Sequence, residues 1–447
     1  MSTINSFQKK EIEIFTQNHR KSKILWNRSV KQFPGGVNHN IRTLDLPLLG
    51  AHPIFIKKSQ DIQLIDVDDN SYTDYWLGHY SQILGHNNPE IRKKVHERLD
   101  LGWMSGTVIE EQVILAEKIA SLSKNIDKVR FQTSGSESVL NAIRLARHYT
   151  KRDVIAKLDL GYHGANALMT NGTGPYPKLE ELEDSESLAN QKIITFHLEQ
   201  TTIEYLFKEF GKKLACVVIE PILAGGGGAV QVDIEILKLL RELCDEYGVV
   251  LVFDEIVSGY RFQHGLYQDK IHLYADLTTL GKIIGGGFPI GGLGGIDEIM
   301  KLADPLVDRS DKITIGGGTF SSHAISMTAG IVTLDLLDQK KDHYTNLNSL
   351  GDYLREQLNN IFKEKNQNYI TTNYGSLIFI SALNKNPWEG NEISKLNVMN
   401  HINKKEQAFL QLYLLNRNVF GYHGLGSLGF LHTRKEINNI INIMKEL

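Results

Sequence analysis

The hydrophobic pattern changes character along the chain. In the first ninety residues IFIKKSQDIQLIDVDDNSYTDY alternates apolar and polar positions around an Asp-Asp-Asn-Ser turn, which predicts short half-buried strands behind an N-terminal arm. From about residue 105, short apolar runs alternate with helical periods. KVRFQT predicts a strand, followed by a helix with Val139, Ala142, Ile143 and Ala146 on one face. VIAKL, KIITFH and LACVVIE predict further strands. Asp233 is placed to cap a helix carrying Ile234, Leu237, Leu240, Arg241 and Cys244. VVLVFDE follows as a continuous apolar run ending in acid, the look of a strand buried on both faces of a parallel sheet. Strand and helix in repetition predict an α/β sandwich. After about residue 325 the pattern returns to helices with a few strands, YGSLIFISAL and LGFLHT among them. The expected organisation is an arm and part of a small domain over 1–90, a large domain over 91–325, and the rest of the small domain over 326–447.

Composition narrows this little. The 447 residues are 41% hydrophobic and 23% charged, with a net charge of -3, so neither nucleic acid nor an anionic membrane is an expected partner. The two cysteines, Cys216 and Cys244, lie in apolar runs and read as buried free thiols; no spacing suggests a metal site. The N-terminus mixes Lys and Glu with no continuous apolar stretch, unlike a signal peptide, and no run is apolar enough to span a bilayer. A soluble, cytoplasmic protein is expected.

The chemistry centres on one lysine. Between Asp276 and Asp297 the only charged residue is Lys282, inside LTTLGKIIGGGFPIGGLGGI. Burial in such a neutral run lowers a lysine pKa and makes the amine a usable nucleophile, most often for a Schiff base with a carbonyl substrate or pyridoxal phosphate. Asp254 ends the VVLVF run, where ligands of open α/β sheets bind. Taken alone it is better explained by a loop hydrogen bond; beside Lys282 it gains as the carboxylate that keeps a pyridine nitrogen protonated. Ser134-Gly135-Ser136-Glu137 fits both a phosphate-holding helix start and a plain capping box. Tyr162-His163-Gly164 and Glu220-Pro221 follow two other strands, and Gly316 to Thr319 make a glycine-rich turn. A P-loop is excluded, because Asp276 stands where its first glycine belongs and Ile283 where Ser or Thr belongs. GGGFPIGG does not give the G-x-G-x-x-G of a dinucleotide site.

FPGGVN, ILGHNNPEI, SGSES with NAIRLAR, YHG, VVIEP, LRELCDEYGVVLVFDEIVSGYR, DLTTLGKIIGGGFPIGGLGG and GGTF occur in this order from about Phe33 to Thr433. Together they resemble the class III aminotransferase group of fold type I pyridoxal-phosphate enzymes, closest to the glutamate-1-semialdehyde 2,1-aminomutases. The resemblance implies a mainly parallel sheet sandwiched by helices, with a small α+β domain from both termini. It implies pyridoxal 5'-phosphate as cofactor, with pyridoxamine 5'-phosphate as its second form, and a homodimer with the site at the interface. It gives Lys282 the cofactor and the proton transfers, and Asp254 the pyridinium nitrogen. Gly135 and Ser136 hold the phosphate, helped by Thr319 of the neighbouring subunit. Tyr162 covers one ring face with Ile256 against the other; His163 and Glu220 complete the cofactor side. Arg42 matches an arginine that receives the substrate carboxylate, and His79 is the other substrate-side candidate.

The departures lie on the substrate side. Leu77, Gly78, His79 and Tyr80 stand where the aminomutases have an S-W-G segment, and Leu223 and Ala224 replace V-A-G-N after E-P. The glutamate that pairs with the carboxylate-binding arginine is replaced near Gly424, and GTLSGNP by GTFSSHA. This pattern favours an aminotransferase acting on a small amino donor and a carbonyl acceptor, expected to be carboxylated. The alternatives are intramolecular amino transfer of the aminomutase type and a racemase or epimerase. A loop near Gly172 to Pro177 is a candidate cover for the site.

Overall fold

A computed structural model describes residues 5–166, 169, 192–226, 228–306, 313, 315–389 and 395–447. The loop expected near Gly172 to Pro177 lies outside the described residues. The chain divides into a terminal unit, residues 1–88 with 345–447, and a central unit, 89–344. The central unit extends past the expected limit of 325, because helix Ala324–Gln339 packs on the helices Pro89–Asp100 and Glu110–Ala120.

The central unit is built on a seven-stranded sheet. In chain order its strands are β1 (Lys128–Gln132), β2 (Val154–Leu158), β3 (Ile193–Phe196), β4 (Leu214–Ile219), β5 (Val250–Asp254), β6 (Leu277–Gly281) and β7 (Gly291–Gly295). Their spatial order is β1-β7-β6-β5-β4-β2-β3. β6, β5, β4, β2 and β3 are mutually parallel, and β7 runs against both β6 and β1. Every residue of β4 and of β5 is buried, as expected for strands covered on both faces. Two of the covering helices have legible caps. Helix α1 (Gly135–Thr150) starts with a capping box of Ser134 and Glu137, and Asp233 accepts from Glu235 N at the start of α2 (Ile234–Tyr247). α1 lays Val139, Ala142, Ile143 and Ala146 into a core with Val218, Val252 and Leu293.

The pattern does not reveal β7, whose sequence is Gly-Gly-Leu-Gly-Gly. Its glycines answer to close neighbours. A Cβ at Gly295 would come 2.5 Å from Leu277 Cδ2, and one at Gly291 would enter the Ser134 carbonyl. The sheet and the start of α1 therefore approach each other over bare backbone.

In the terminal unit, strands Gln63–Asp66 and Ser71–Asp74 pair antiparallel across the expected Asp-Asp-Asn-Ser turn, with Ile56–Gln60 on one side and Val419–Phe420 on the other. Strand Leu377–Ala382 pairs with Tyr369–Tyr374 and with Gly426–Ser427. LGFLHT is not a strand. Its backbone leaves the ladder after Ser427 because Gly429 sits against Ile83, where a Cβ would come 2.7 Å from the carbonyl oxygen, and the segment turns into helix Arg434–Glu446. Among the described residues no helix is long and apolar enough to cross a membrane.

Candidate active site

The carboxyl ends of the parallel strands carry the candidate residues. Asp254 closes β5, Lys282 follows β6, Glu220 follows β4 and His163 lies shortly after β2. Lys282 is in left-handed backbone (φ 49°), a strained setting for a residue with a Cβ. Its side chain is partly open by surface area, and its amine makes no hydrogen bond or ion pair among the described residues. Crowding by protein atoms pushes its pKa below the usual lysine value. The Asp254 and Glu220 carboxylates oppose that shift, and Arg261 adds to it.

Asp254 is buried and nearly saturated. Its Oδ1 accepts from Ile256 N (3.1 Å) and Thr279 Oγ1 (3.2 Å), and its Oδ2 lies 2.8 Å from His163 Nδ1. Facing a carboxylate, that imidazole nitrogen carries the hydrogen. A carboxylate has about four acceptor positions, so one on Oδ2 stays open among the described residues. His163 Nε2 is buried without a partner among the described residues. Glu220 is buried as well, its Oε1 accepting from Tyr162 N (2.9 Å) and its Oε2 from Ala224 N (3.1 Å). Burial pushes its pKa up, Asp254 adds to that, and His163 works against it.

Two glycines let the walls close in. A Cβ on Gly135 would stand 2.5 Å from Ile256 Cδ1, and one on Gly225 the same distance from Tyr162 Cβ. Ser136 Oγ accepts from Ala165 N (3.1 Å), tying the start of α1 to the loop after β2. Gly164 makes that contact feasible: its φ is +92°, and a Cβ would come 2.8 Å from Ser136 Cβ. The N–H groups of Gly135 and Ser136 open α1 and have no acceptor among the described residues. The start of this 16-residue helix suits an anion.

Lys282, Asp254, His163, Glu220, Tyr162, Ile256, Gly135 and Ser136 thus fall in one unit, on one edge of one sheet. Thr319 is exposed, and no hydrogen bond joins it to this cluster among the described residues. Arg42 and His79 belong to the terminal unit, where both line a cavity of about 260 Å³. Sequence reasoning missed Gly164 and Thr279 as supports. It also missed Lys157, a fully buried β2 lysine whose pKa desolvation pulls down to about 8. The Lys157 amine is engaged, donating to the Met169 carbonyl (3.2 Å).

The sequence model of one family, described as aminotransferase class-III, matches residues 49–397. The chain belongs to the class-III aminotransferase family. It is therefore an enzyme with the type I fold. Among its relatives is a glutamate-1-semialdehyde 2,1-aminomutase of Thermoplasma volcanium, 35% identical over 80% of this chain and 83% of that protein. An aminomutase of the same description from Fusobacterium nucleatum is 34% identical over 94% of this chain and 95% of its own. Among solved structures, a β-phenylalanine aminotransferase from Variovorax paradoxus superposes with a TM-score of 0.86 at 25% identity, over 99% of this chain and 97% of that one.

Proposed function

We propose that this class-III family member is a pyridoxal-phosphate-dependent aminotransferase that moves an amino group between an amino acid or amine and a carbonyl acceptor, with Lys282 carrying the cofactor. The observation that carries the reading is the pairing of an unbonded, pKa-lowered Lys282 amine with the buried Asp254 carboxylate that has one acceptor position open.

The residues present fit the cofactor. The unpaired N–H groups of Gly135 and Ser136 would hold its phosphate, the open position on Asp254 its ring N–H, and Tyr162 and Ile256 its ring faces. Bound pyridoxal phosphate supplies an aldehyde that condenses with amines and a ring that accepts the electron pair left when a Cα–H bond breaks. Lys282 does the proton work. With burial working against its charged form, its amine takes the proton from the substrate Cα and returns it. His163 fixes the orientation of Asp254, and with Ile256 N and Thr279 keeps that carboxylate from turning away. Glu220, anchored by the backbone N–H groups of Tyr162, Ala224 and Gly225, stiffens the loop that carries Tyr162.

We infer a homodimer as the working form, with Thr319 of the partner subunit completing the phosphate site. Support comes from apolar side chains exposed on the central unit: Leu101 (80%), Trp103 (56%) and Val108 (77%) crowd one short stretch. The mixed, near-neutral charge of the chain matches an expected cytoplasmic location.

A second reading has a specific observation behind it. The relatives named above are aminomutases, so transfer within one molecule competes with transfer between two. Stoichiometry decides. Incubated with an amino donor alone, the enzyme is expected to release one oxo product per active site, with the cofactor absorbance shifting and then stopping. Continued turnover of a single substrate into an isomer, with no oxo product, would establish the mutase. The same holoenzyme is expected to sediment at twice the 50.4 kDa chain mass; a monomer that retains full activity would refute the shared site.

A further inference from the structure

Lys157 is a charged residue where packing alone would favour an apolar one. It lies in β2, within Val-Ile-Ala-Lys-Leu, and is fully buried. Side chains alternate between the faces of a sheet along each strand. Ile155, two residues earlier, and Val218, the partner of Lys157 across the ladder to β4, both belong to the core that α1 covers. Lys157 therefore enters the α1 side of the sheet. The same alternation brings Glu220 and Asp254 to that side, because Val218 and Val252, two residues before them, pair with each other and lie in that core. Lys157, Glu220 and Asp254 thus come from three adjacent strands, with Lys157 about 7 Å deeper along the strand direction.

Desolvation pulls the Lys157 pKa down to about 8, and the Asp159 and Glu220 carboxylates oppose that shift. Near neutral pH the ammonium accordingly keeps its charge inside the core. Its Nζ donates to the carbonyl of Met169 (3.2 Å), a residue itself fully buried in the same core. Between these two residues the chain carries Tyr162, His163 and Gly164. Three contacts hold that stretch. Glu220 accepts from Tyr162 N (2.9 Å), Ser136 accepts from Ala165 N (3.1 Å), and Met169 accepts from Lys157. Lys157 makes one of these contacts itself and supplies positive charge to the carboxylate that makes another.

We infer that Lys157 is a positioning residue of the active site, its buried ammonium anchoring Met169 and backing Glu220 so that the Tyr162-His163-Gly164 turn keeps one place. It touches neither substrate nor cofactor in this role; it acts through Tyr162, which the aminotransferase reading sets against a ring face, and the inference rests on that reading. A buried cation costs stability that an apolar side chain of similar length would not. Proteins carry such costs where a site needs a fixed geometry.

Lys157→Met keeps the length and removes both charge and donor. In the cofactor-free protein at pH 7 it is expected to melt at or above the wild-type temperature. The gap is expected to shrink as pH climbs from about 8 towards 10.5, since the folded lysine gives up its proton at the lower value and the unfolded one at the higher. Amide hydrogen exchange in the peptide containing Tyr162 is expected to quicken about tenfold, with β5 unchanged. Pyridoxal phosphate, titrated by its visible absorbance, is expected to bind about tenfold more weakly, the scale of one lost charge-assisted hydrogen bond. Lys157→Gln, uncharged but still a donor, is expected to shift exchange and affinity in the same direction. Unchanged exchange at Tyr162, or unchanged affinity for pyridoxal phosphate, overturns the inference. So does a Lys157→Met protein that melts well below the wild type at every pH, which would make the lysine a packing residue. The two readings fail separately: wild-type protein that takes up no pyridoxal phosphate fails the aminotransferase reading, whereas wild type and Lys157→Met binding it equally well fails only the role of Lys157.

Discussion

Lys282→Ala is expected to abolish turnover and leave the protein folded. Removing a group proposed both to carry the cofactor and to move the substrate proton is expected to cost at least ~10³-fold in kcat, since positioned acid–base catalysis alone contributes about 10²–10⁴-fold. The same change is expected to raise stability, because the amine sits where its charge is disfavoured; the left-handed backbone (φ 49°) stays as strained with alanine. The sign follows from proton counts. Unfolded, the lysine holds its proton up to about its ordinary value of 10.5; folded, it lets go at a lower pH. Between the two values the unfolded state binds more protons, so this residue's contribution to stability rises with pH there, and below the folded value its cost is complete. Cofactor-free Lys282→Ala is therefore expected to melt at or above the wild-type temperature at pH 7, with the gap narrowing as pH climbs towards 10.5. A variant that melts well below the wild type at pH 7, with the gap unchanged by pH, would make Lys282 a structural residue.

Asp254→Asn carries the second-largest effect. Its side chain meets three donors, from Ile256 N, Thr279 Oγ1 and His163 Nδ1, and an amide of the same shape keeps the first two. The amide nitrogen either turns to His163, where it meets a second donor, or occupies the open position and removes the acceptor. Either way the charge beside the ring is lost. A fall in kcat of about 10²–10³-fold is expected, the scale for one preorganised electrostatic stabiliser, together with an altered cofactor absorption spectrum. More than a tenth of wild-type turnover in Asp254→Asn would remove Asp254 from the role. His163→Ala is expected to be milder, because it leaves the carboxylate and takes away only its brace.

The candidate residues were legible because they lie at strand ends that the apolar runs mark. VVLVFDE puts Asp254 at the end of a buried strand, and the neutral stretch around Lys282 follows the next one. The strand Gly291–Gly295 was hidden because its residues have no side chains from which a period can be read; the reason for its glycines, the Ser134 carbonyl and Leu277, comes from distant parts of the chain. Gly164 was quoted in a motif, yet its task of clearing space for Ser136 needs the fold to be seen. Lys157 was hidden in the opposite way: in VIAKL it looks like a polar position on a half-buried strand, and only packing shows it fully enclosed. The lining around Arg42 joins residues 41–79 to 420–422, and no local pattern brings those two segments together. The limit near 325 missed helix Ala324–Gln339 as part of the central unit because that helix is apolar nearly all round, with its partners at 89–120 far back in the sequence.

The account stands on one amine carrying the cofactor, and among the described residues two lysines have a pKa lowered by burial. Lys282 has no hydrogen-bond partner among the described residues, and Lys157 donates to Met169 O. Borohydride reduction of the pyridoxal-phosphate-loaded protein, followed by proteolysis and peptide mass spectrometry, tells them apart. Loss of the visible absorbance with the phosphopyridoxyl mass on Lys282 is the predicted result; the label on Lys157 or on surface lysines, with Lys282 unmodified, would contradict it.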